Sequence, residues 1–341
     1  MQTTLDHPFP TPPDAGGQSA VAPGVYWLRL ALPWRLDHIN LWLLEDGGER
    51  VLVDTGLGDD ATREHWTQWL ERARHPLSGI LVTHYHPDHL GNAAWLAART
   101  GAPISMALGE LLLARAVYAQ LPGFDTAAML TQFRSHGLDE ASLTRLEARG
   151  NVYRRGVPEL PRQIRRLADG DEFRVGTQRW RVIAGMGHSP EHLALHNAEA
   201  GVLISGDMLL PRISTHVAVP PAIPEDDAVE RYLTSLQAFM PLPAETLVLP
   251  SHGLPFRGLH ARIGQLQAHH AERDAKMCAD LDTPRSAADI LATLFRRELD
   301  AHQLMFAMSE AIAHLNHAAA AGRLRRLEPT PDGVVRFLAT D

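Results

Sequence analysis

Short apolar runs closed by turn-forming residues alternate with stretches of helical spacing along most of the chain. Residues 25–32, 39–44 and 50–53 read as strands, the last two joined by the turn Glu45-Asp46-Gly47-Gly48. Residues 79–82, 172–175, 179–184, 202–204 and 246–249 read the same way. Helical spacing runs from a cap at Asp59 or Asp60 to about Arg74, and again over 90–98, 227–239 and 259–278. Strands and helices thus alternate along much of the chain. Between 107 and 168 the helical stretches 108–119, 126–136 and 140–149 follow one another with no strand among them, which predicts a helical insertion, either a roof over a pocket or a plain structural cap. Beyond Thr283 the pattern becomes a compact block. It holds a helix from 284 to about Arg297, a longer one over 301–320, and a short strand pair at 324–327 and 333–338.

Five of the apolar runs lead into Asp or His. These are Asp54, His84, His188, Asp207 and His252. A sheet gathers its strand ends along one edge, so these polar residues can meet in one crevice. The run at 79–82 leads into Thr83-His84-Tyr85-His86-Pro87-Asp88-His89, which places three imidazoles and a carboxylate within six residues. Pro87 breaks a regular ladder or helix there, which predicts a loop that fans its side chains toward one point. Neutral imidazoles with a carboxylate are ligands for borderline divalent metals. A solvated polar turn is the plain alternative.

The loop and the downstream residues resemble the signature of the metallo-β-lactamase-fold hydrolases. The resemblance implies a four-layer αββα sandwich of two mixed sheets over about residues 20–270. It also implies a binuclear site. His84, His86 and His188 would take the first ion, Asp88, His89 and His252 the second, and Asp207 in Ser205-Gly206-Asp207-Met208 would bridge them. Asp54 matches a position that supports the loop from behind. The cofactors implied are two divalent ions, zinc by default, with iron or manganese also suited to a ligand set without thiolate. Asp88 and Asp207 are the expected catalytic carboxylates. Two such ions share one hydroxide and polarise a substrate oxygen, which fits hydrolysis of a small ester, thioester or lactone. The rivals are a metal-dependent endoribonuclease or phosphodiesterase and, further off, a non-hydrolytic diiron module. No Gly-x-Ser-x-Gly elbow supports a serine nucleophile. Arg212 and His216, just past the bridging Asp, are candidates for substrate binding.

Composition narrows the partners. The net charge is −8, and residues 280–341 carry seven Arg against nine Asp or Glu, so the chain disfavours nucleic acid and points to a small-molecule substrate. Only 45 positions separate Asp207 from His252, too few for an inserted RNA clamp. Cys278 is the sole cysteine, residues 1–20 lack the basic and apolar regions of a signal peptide, and no apolar run is long enough to span a membrane. The expectation is a cytoplasmic protein. Its parts would be a flexible segment at 1–20, a catalytic domain at 21–278 with the insertion at 107–168, and a C-terminal unit at 279–341. The last resembles the winged-helix-like extension of the lactamase-beta-2-like branch, used for packing or homodimer contact.

Overall fold

A computed structural model describes residues 4–14, 16–73, 75–295, 299–329 and 331–340. Arg74 and Arg297, where two of the expected helices end, lie outside them. Two sheets dominate. The first has the order β1 (Ser19–Ala22), β2 (Val25–Ala31), β3 (His38–Asp46), β4 (Glu49–Val53), β5 (Gly79–Leu81), β6 (Ile104–Met106) and β7 (Arg165–Arg166). It is antiparallel from β1 to β4 and parallel from β4 to β7. The second runs β12 (Leu247–Pro250), β11 (Val202–Gly206), β10 (His192–Asn197), β9 (Gln178–Gly185), β8 (Glu172–Val175), with only β11 and β12 parallel.

The sheets pack face to face. Trp27, Trp42, Val53 and Leu81 of the first meet Trp180, Val182, Leu193, Ile204 and Leu249 of the second in one apolar core. The other face of the first sheet is covered by α1 (Asp60–Arg72), α2 (Pro87–Leu90), α3 (Ala93–Thr100) and α4 (Leu108–Tyr118), through Trp66, Trp69, Leu90, Leu96 and Leu111. A strand buried on both faces is mostly apolar on both. In β3, Ile39, Leu41 and Leu43 face the helices while Trp42 and Leu44 face the other sheet. Each such large side chain taken fully out of water contributes on the order of 2–3 kcal/mol. The architecture is the expected mixed α/β sandwich.

Local chemistry sets the element ends. Asp59 caps α1 by accepting from Thr62 N at 2.8 Å. Pro87 does not exclude helix as expected. It opens the single turn of α2 as a first-turn residue, where its missing N–H has no intrahelical partner to lose. Strand β10 is absent from the sequence reading, because its two histidines and Asn197 mask an element buried at every position. The expected flexible segment is tied down where it is described. Arg257 N donates to Asp6 O at 2.8 Å, and Ser19 already pairs in β1.

Contacts divide the chain into two compact units, the first made of Met1–Tyr118, Tyr153–Thr215 and Ser235–Ile263. It contains both sheets. The second gathers Ala119–Val152, His216–Thr234 and Gly264–Asp341. This division differs from the expected boundary at 278/279, because part of the helical insertion packs with the C-terminal stretch. The insertion is also not one block: Leu111 and Ala114 of α4 belong to the helix-side core of the first unit, and Arg165–Arg166 pairs as β7. In the second unit α5 (Thr126–Ser135) packs on α6 (Glu140–Glu147). The short α7 (Val152–Gly156) follows in the chain, and then α8 (Ala228–Leu236) and α9 (Leu259–Ala279). The C-terminal block holds α10 (Leu291–Leu294), α11 (Ala301–Ala320) and the hairpin of β13 (Leu324–Arg326) with β14 (Phe337–Ala339). The helix expected from 284 shrinks to α10, because Asp289 Oδ2 folds back to accept from Ser286 N and Oγ, both at 2.8 Å. Among the described residues no helix is long and apolar enough to cross a membrane.

Candidate metal centre

The parallel strands bring their C-terminal ends together at one edge of the sandwich. β4 leads to Asp54, β5 to His84, β11 to Asp207 and β12 to His252, while the turn after β9 supplies His188. Two groups of ligand atoms result, each confined within 4.8 Å: His84, His86, His188 and Asp207, then Asp88, His89 and His252. In the first, His84 Nε2 lies 2.8 Å from His86 Nδ1 and 3.1 Å from His188 Nε2, and Asp207 Oδ2 is 3.4 Å from His188 Nε2. In the second, Asp88 Oδ2 lies 3.7 Å from His89 Nε2 and 3.5 Å from His252 Nε2. Asp207 Oδ1 is 3.6 Å from His89 Nε2 and 3.4 Å from His252 Nε2. One carboxylate therefore turns a different oxygen to each group.

The residues fit divalent ions. Four donors around one ion at zinc–nitrogen distances of about 2.0–2.1 Å stand about 3.3 Å apart, which is close to the separations found. His89 Nε2 and Asp207 Oδ1 are buried without a hydrogen-bond partner among the described residues, and both point into the second group. Unpartnered buried polar atoms are uncommon and call for an explanation such as an ion. The electrostatics agree. Burial works against charge on His89, yet Asp54, Asp88 and Asp207 outweigh it and raise its pKa to about 10. Burial likewise opposes the Asp207 carboxylate, but His252 and His89 hold its pKa well below the usual range. Burial and the neighbouring imidazoles keep His84 neutral, the form that ligates.

A surrounding layer fixes ring orientation. Asp54 sits at φ 62°, a left-handed conformation that only Asp54 and Gln120 adopt among the described non-glycine residues. Its carboxylate accepts from Thr83 N at 2.8 Å, Thr83 Oγ1 at 2.9 Å and His89 Nδ1 at 2.8 Å. His89 therefore presents Nε2 to the site. Thr83 Oγ1 in turn lies 3.0 Å from His84 Nδ1, extending the same control to a second ring. His252 Nδ1 donates to His38 O at 2.8 Å, and Asn40 Nδ2 donates to the carbonyls of Pro250 and Gly253, both at 2.9 Å. The start of β3 thus secures the last ligand loop.

All seven residues expected as ligands come together, with Asp54 behind them. Arg212 and His216 are placed differently. Arg212 is exposed, and the His216 ring packs edge-on against Phe306, 4.5 Å between centroids. Two residues escape the sequence reading. His192 Nε2 accepts from Asp207 N at 3.0 Å, and its pKa is pushed down to about 3 by burial and by His188. Glu110 is fully buried. Its Oε2 accepts from Tyr85 N at 2.9 Å, and its Oε1 accepts from Ser189 Oγ and Glu191 N, both at 2.7 Å. The available signal for Glu110 is the lone acid between Leu108 and Leu113, on the apolar face of its helix.

Known proteins resemble this chain. The family model of the metallo-beta-lactamase superfamily matches residues 34–252, and that of the metallo-beta-lactamase-like C-terminal domain matches 275–340. A solved beta-lactamase domain protein from Burkholderia ambifaria is 45% identical, with a TM-score of 0.91 and 98% of each chain covered. An atrochrysone carboxyl ACP thioesterase from Aspergillus fumigatus is 22% identical over 306 residues, 90% of this chain and 58% of that protein. An acyl-coenzyme A thioesterase from Homo sapiens is 25% identical over 195 residues, 54% of this chain and 63% of that protein. The chain spans between 58% and 63% of the length of the first curated relatives it matches. With the superfamily model covering residues 34–252 of 341, and the ligand geometry that goes with it, the chain belongs to the metallo-beta-lactamase superfamily.

Proposed function

We propose that the chain is a binuclear metallohydrolase acting on a small acyl thioester, ester or lactone. One observation carries the reading: Asp207 turns Oδ2 toward His188 and Oδ1 toward His252, each at 3.4 Å, so one carboxylate serves both ligand groups. Two divalent ions held there supply water with a pKa near neutrality and a Lewis acid for the substrate oxygen. Zinc is the expected pair, and iron or manganese also suit a set of histidines and aspartates. The chain's own residues do the positioning. Asp54 accepts a hydrogen bond from His89 Nδ1, and the His38 carbonyl accepts one from His252 Nδ1, so both rings present Nε2 inward. His192 holds the backbone of Asp207 and thereby the split of its oxygens. Arg212, exposed just past this turn, offers a guanidinium to an anionic handle on the substrate, and His216 lies four residues on. The two thioesterase relatives support an acyl substrate.

The test is a panel of acyl thioesters, lactones and single-stranded RNA, offered to metal-replete wild type and to Asp88→Ala at matched metal loading. Hydrolysis of at least one acyl compound is expected. The variant should be slower by at least the 10–100-fold typical of losing a residue that merely supports a metal ligand. Asp88-dependent cleavage confined to RNA overturns the proposal in favour of phosphodiester chemistry.

A further inference from the structure

Glu110 lies outside both ligand groups, yet its carboxylate touches the two loops that build the first. Tyr85, whose N–H it accepts, stands between His84 and His86. Ser189 and Glu191, whose Oγ and N–H it accepts, follow directly on His188. The histidines of the second group lean on other groups, Asp54 and the His38 carbonyl, and Asp54 reaches the first group only through Thr83 and His84. The Glu110 joint is closed from a second side, where Glu191 Oε2 accepts from Gly109 N at 2.6 Å. Tyr153 adds a third tie by donating its hydroxyl to Tyr85 O at 2.7 Å. Three donors converge on two carboxylate oxygens here, and no acceptor faces them. A glutamine has one oxygen and an amide that only donates. Whichever way it turns, at least one of the three donors meets an N–H.

We propose that Glu110 is a positioning residue for the first ion alone, clamping the His84/His86 loop to the His188 loop at the spacing that ion requires. The inference rests on the binuclear reading above.

Cobalt(II) uptake, followed by visible absorption and calorimetry, separates the two groups. His252→Ala cripples the second group and leaves binding at the first to be read. His86→Ala does the reverse. Adding Glu110→Gln to the His252→Ala protein should weaken cobalt binding about 10–100-fold, the usual effect of losing a support behind a metal ligand. Adding it to the His86→Ala protein should change binding by less than about three-fold, under 1 kcal/mol. Equal losses in both backgrounds, or no loss in either, overturn the proposal. A fall in metal-free melting temperature with unchanged affinity assigns Glu110 to the fold only and also overturns it. If Glu110→Gln does not fold, Ser189→Ala removes one arm of the clamp and should still weaken the first group about five-fold, the worth of one hydrogen bond. Unchanged affinity in that variant counts against the clamp. Wild type that takes up no cobalt overturns the binuclear reading itself, and the clamp with it.

Discussion

Asp54 combines two demands at one position: a left-handed backbone and a carboxylate that accepts from Thr83 and His89. Substitution can separate them. Asparagine tolerates the left-handed region, but its single oxygen cannot serve Thr83 N and His89 Nδ1 together. Asp54→Asn should therefore keep the backbone while weakening metal binding about 10–100-fold, as read by competition with a chelator. Asp54→Ala should lose affinity at least as far and also place a β-carbon in strain, lowering the unfolding free energy a further ~1–2 kcal/mol in denaturant titrations. If both variants bind metal like wild type, Asp54 is only a turn residue. Residues of this kind are partly legible in the sequence. Asp54 and four of the seven candidate ligands stand just past an apolar run, and the other three share the short motif that follows one of them, so period and chemistry change together there. Glu110 and His192 are not legible in that way. Each sits inside an element, where a single polar residue reads as noise in a helix or a break in a strand. Only the fold shows that what lies beside it is a ligand loop.

Strand β11 ends on a residue that the site leaves no freedom to change. Gly206 has φ 54°, and a β-carbon there would stand 2.3 Å from the His192 ring. That ring accepts the N–H of Asp207, so the absence of a side chain at 206 and the aim of the next carboxylate are one arrangement. Gly206→Ala should displace His192, lower stability by about 1–3 kcal/mol through backbone strain alone, and reduce the number of ions bound per chain. Full occupancy with an unchanged melting temperature would show that the ring moves aside freely. At this scale the sequence is a good guide to strands with continuous apolar runs and a poor one to β10. Its histidines and Asn197 conceal a strand buried throughout. The one-turn helix at Pro87 is missed for the opposite reason, because a residue that breaks helices in the middle also starts them.

Across the whole chain, buried neutral histidines link stability to acidity. In the second unit His136 is buried against Phe337, and burial followed by Arg326 pushes its pKa down to about 4. His270 is lowered to about 3, by burial and then by His314. In the unfolded chain both titrate near 6.5. Above that pH neither state carries the extra proton and nothing is lost. Between 6.5 and about 4 the unfolded chain binds protons that the folded one refuses, so stability falls with pH, by up to about 1.4 kcal/mol per pH unit for each histidine. Denaturant titrations at pH 7.5, 5.5 and 4.5 should show this decline, and His136→Phe should flatten it. A profile that His136→Phe leaves unchanged would rule out His136 as a source. The division into two units is the least legible feature at this scale. Contiguous reading cannot tell that residues 119–152 pack with a stretch that begins at Gly264. The placement of the ligands has a different consequence. They are spread from His84 to His252 and gathered by strand pairing, with supports made of protein groups such as Asp54, Glu110 and the His38 carbonyl. A small zinc module folds because the metal crosslinks it, whereas here strand pairing and protein groups position the candidate ligands. On the proposed reading, filling would follow folding, and the ion acquired would be decided by which divalent cations surround the protein and by their order of affinity for nitrogen and oxygen donors. On the metallohydrolase reading, the same polypeptide raised in zinc-rich and iron-rich surroundings should yield two holoproteins of one fold, which elemental analysis would tell apart.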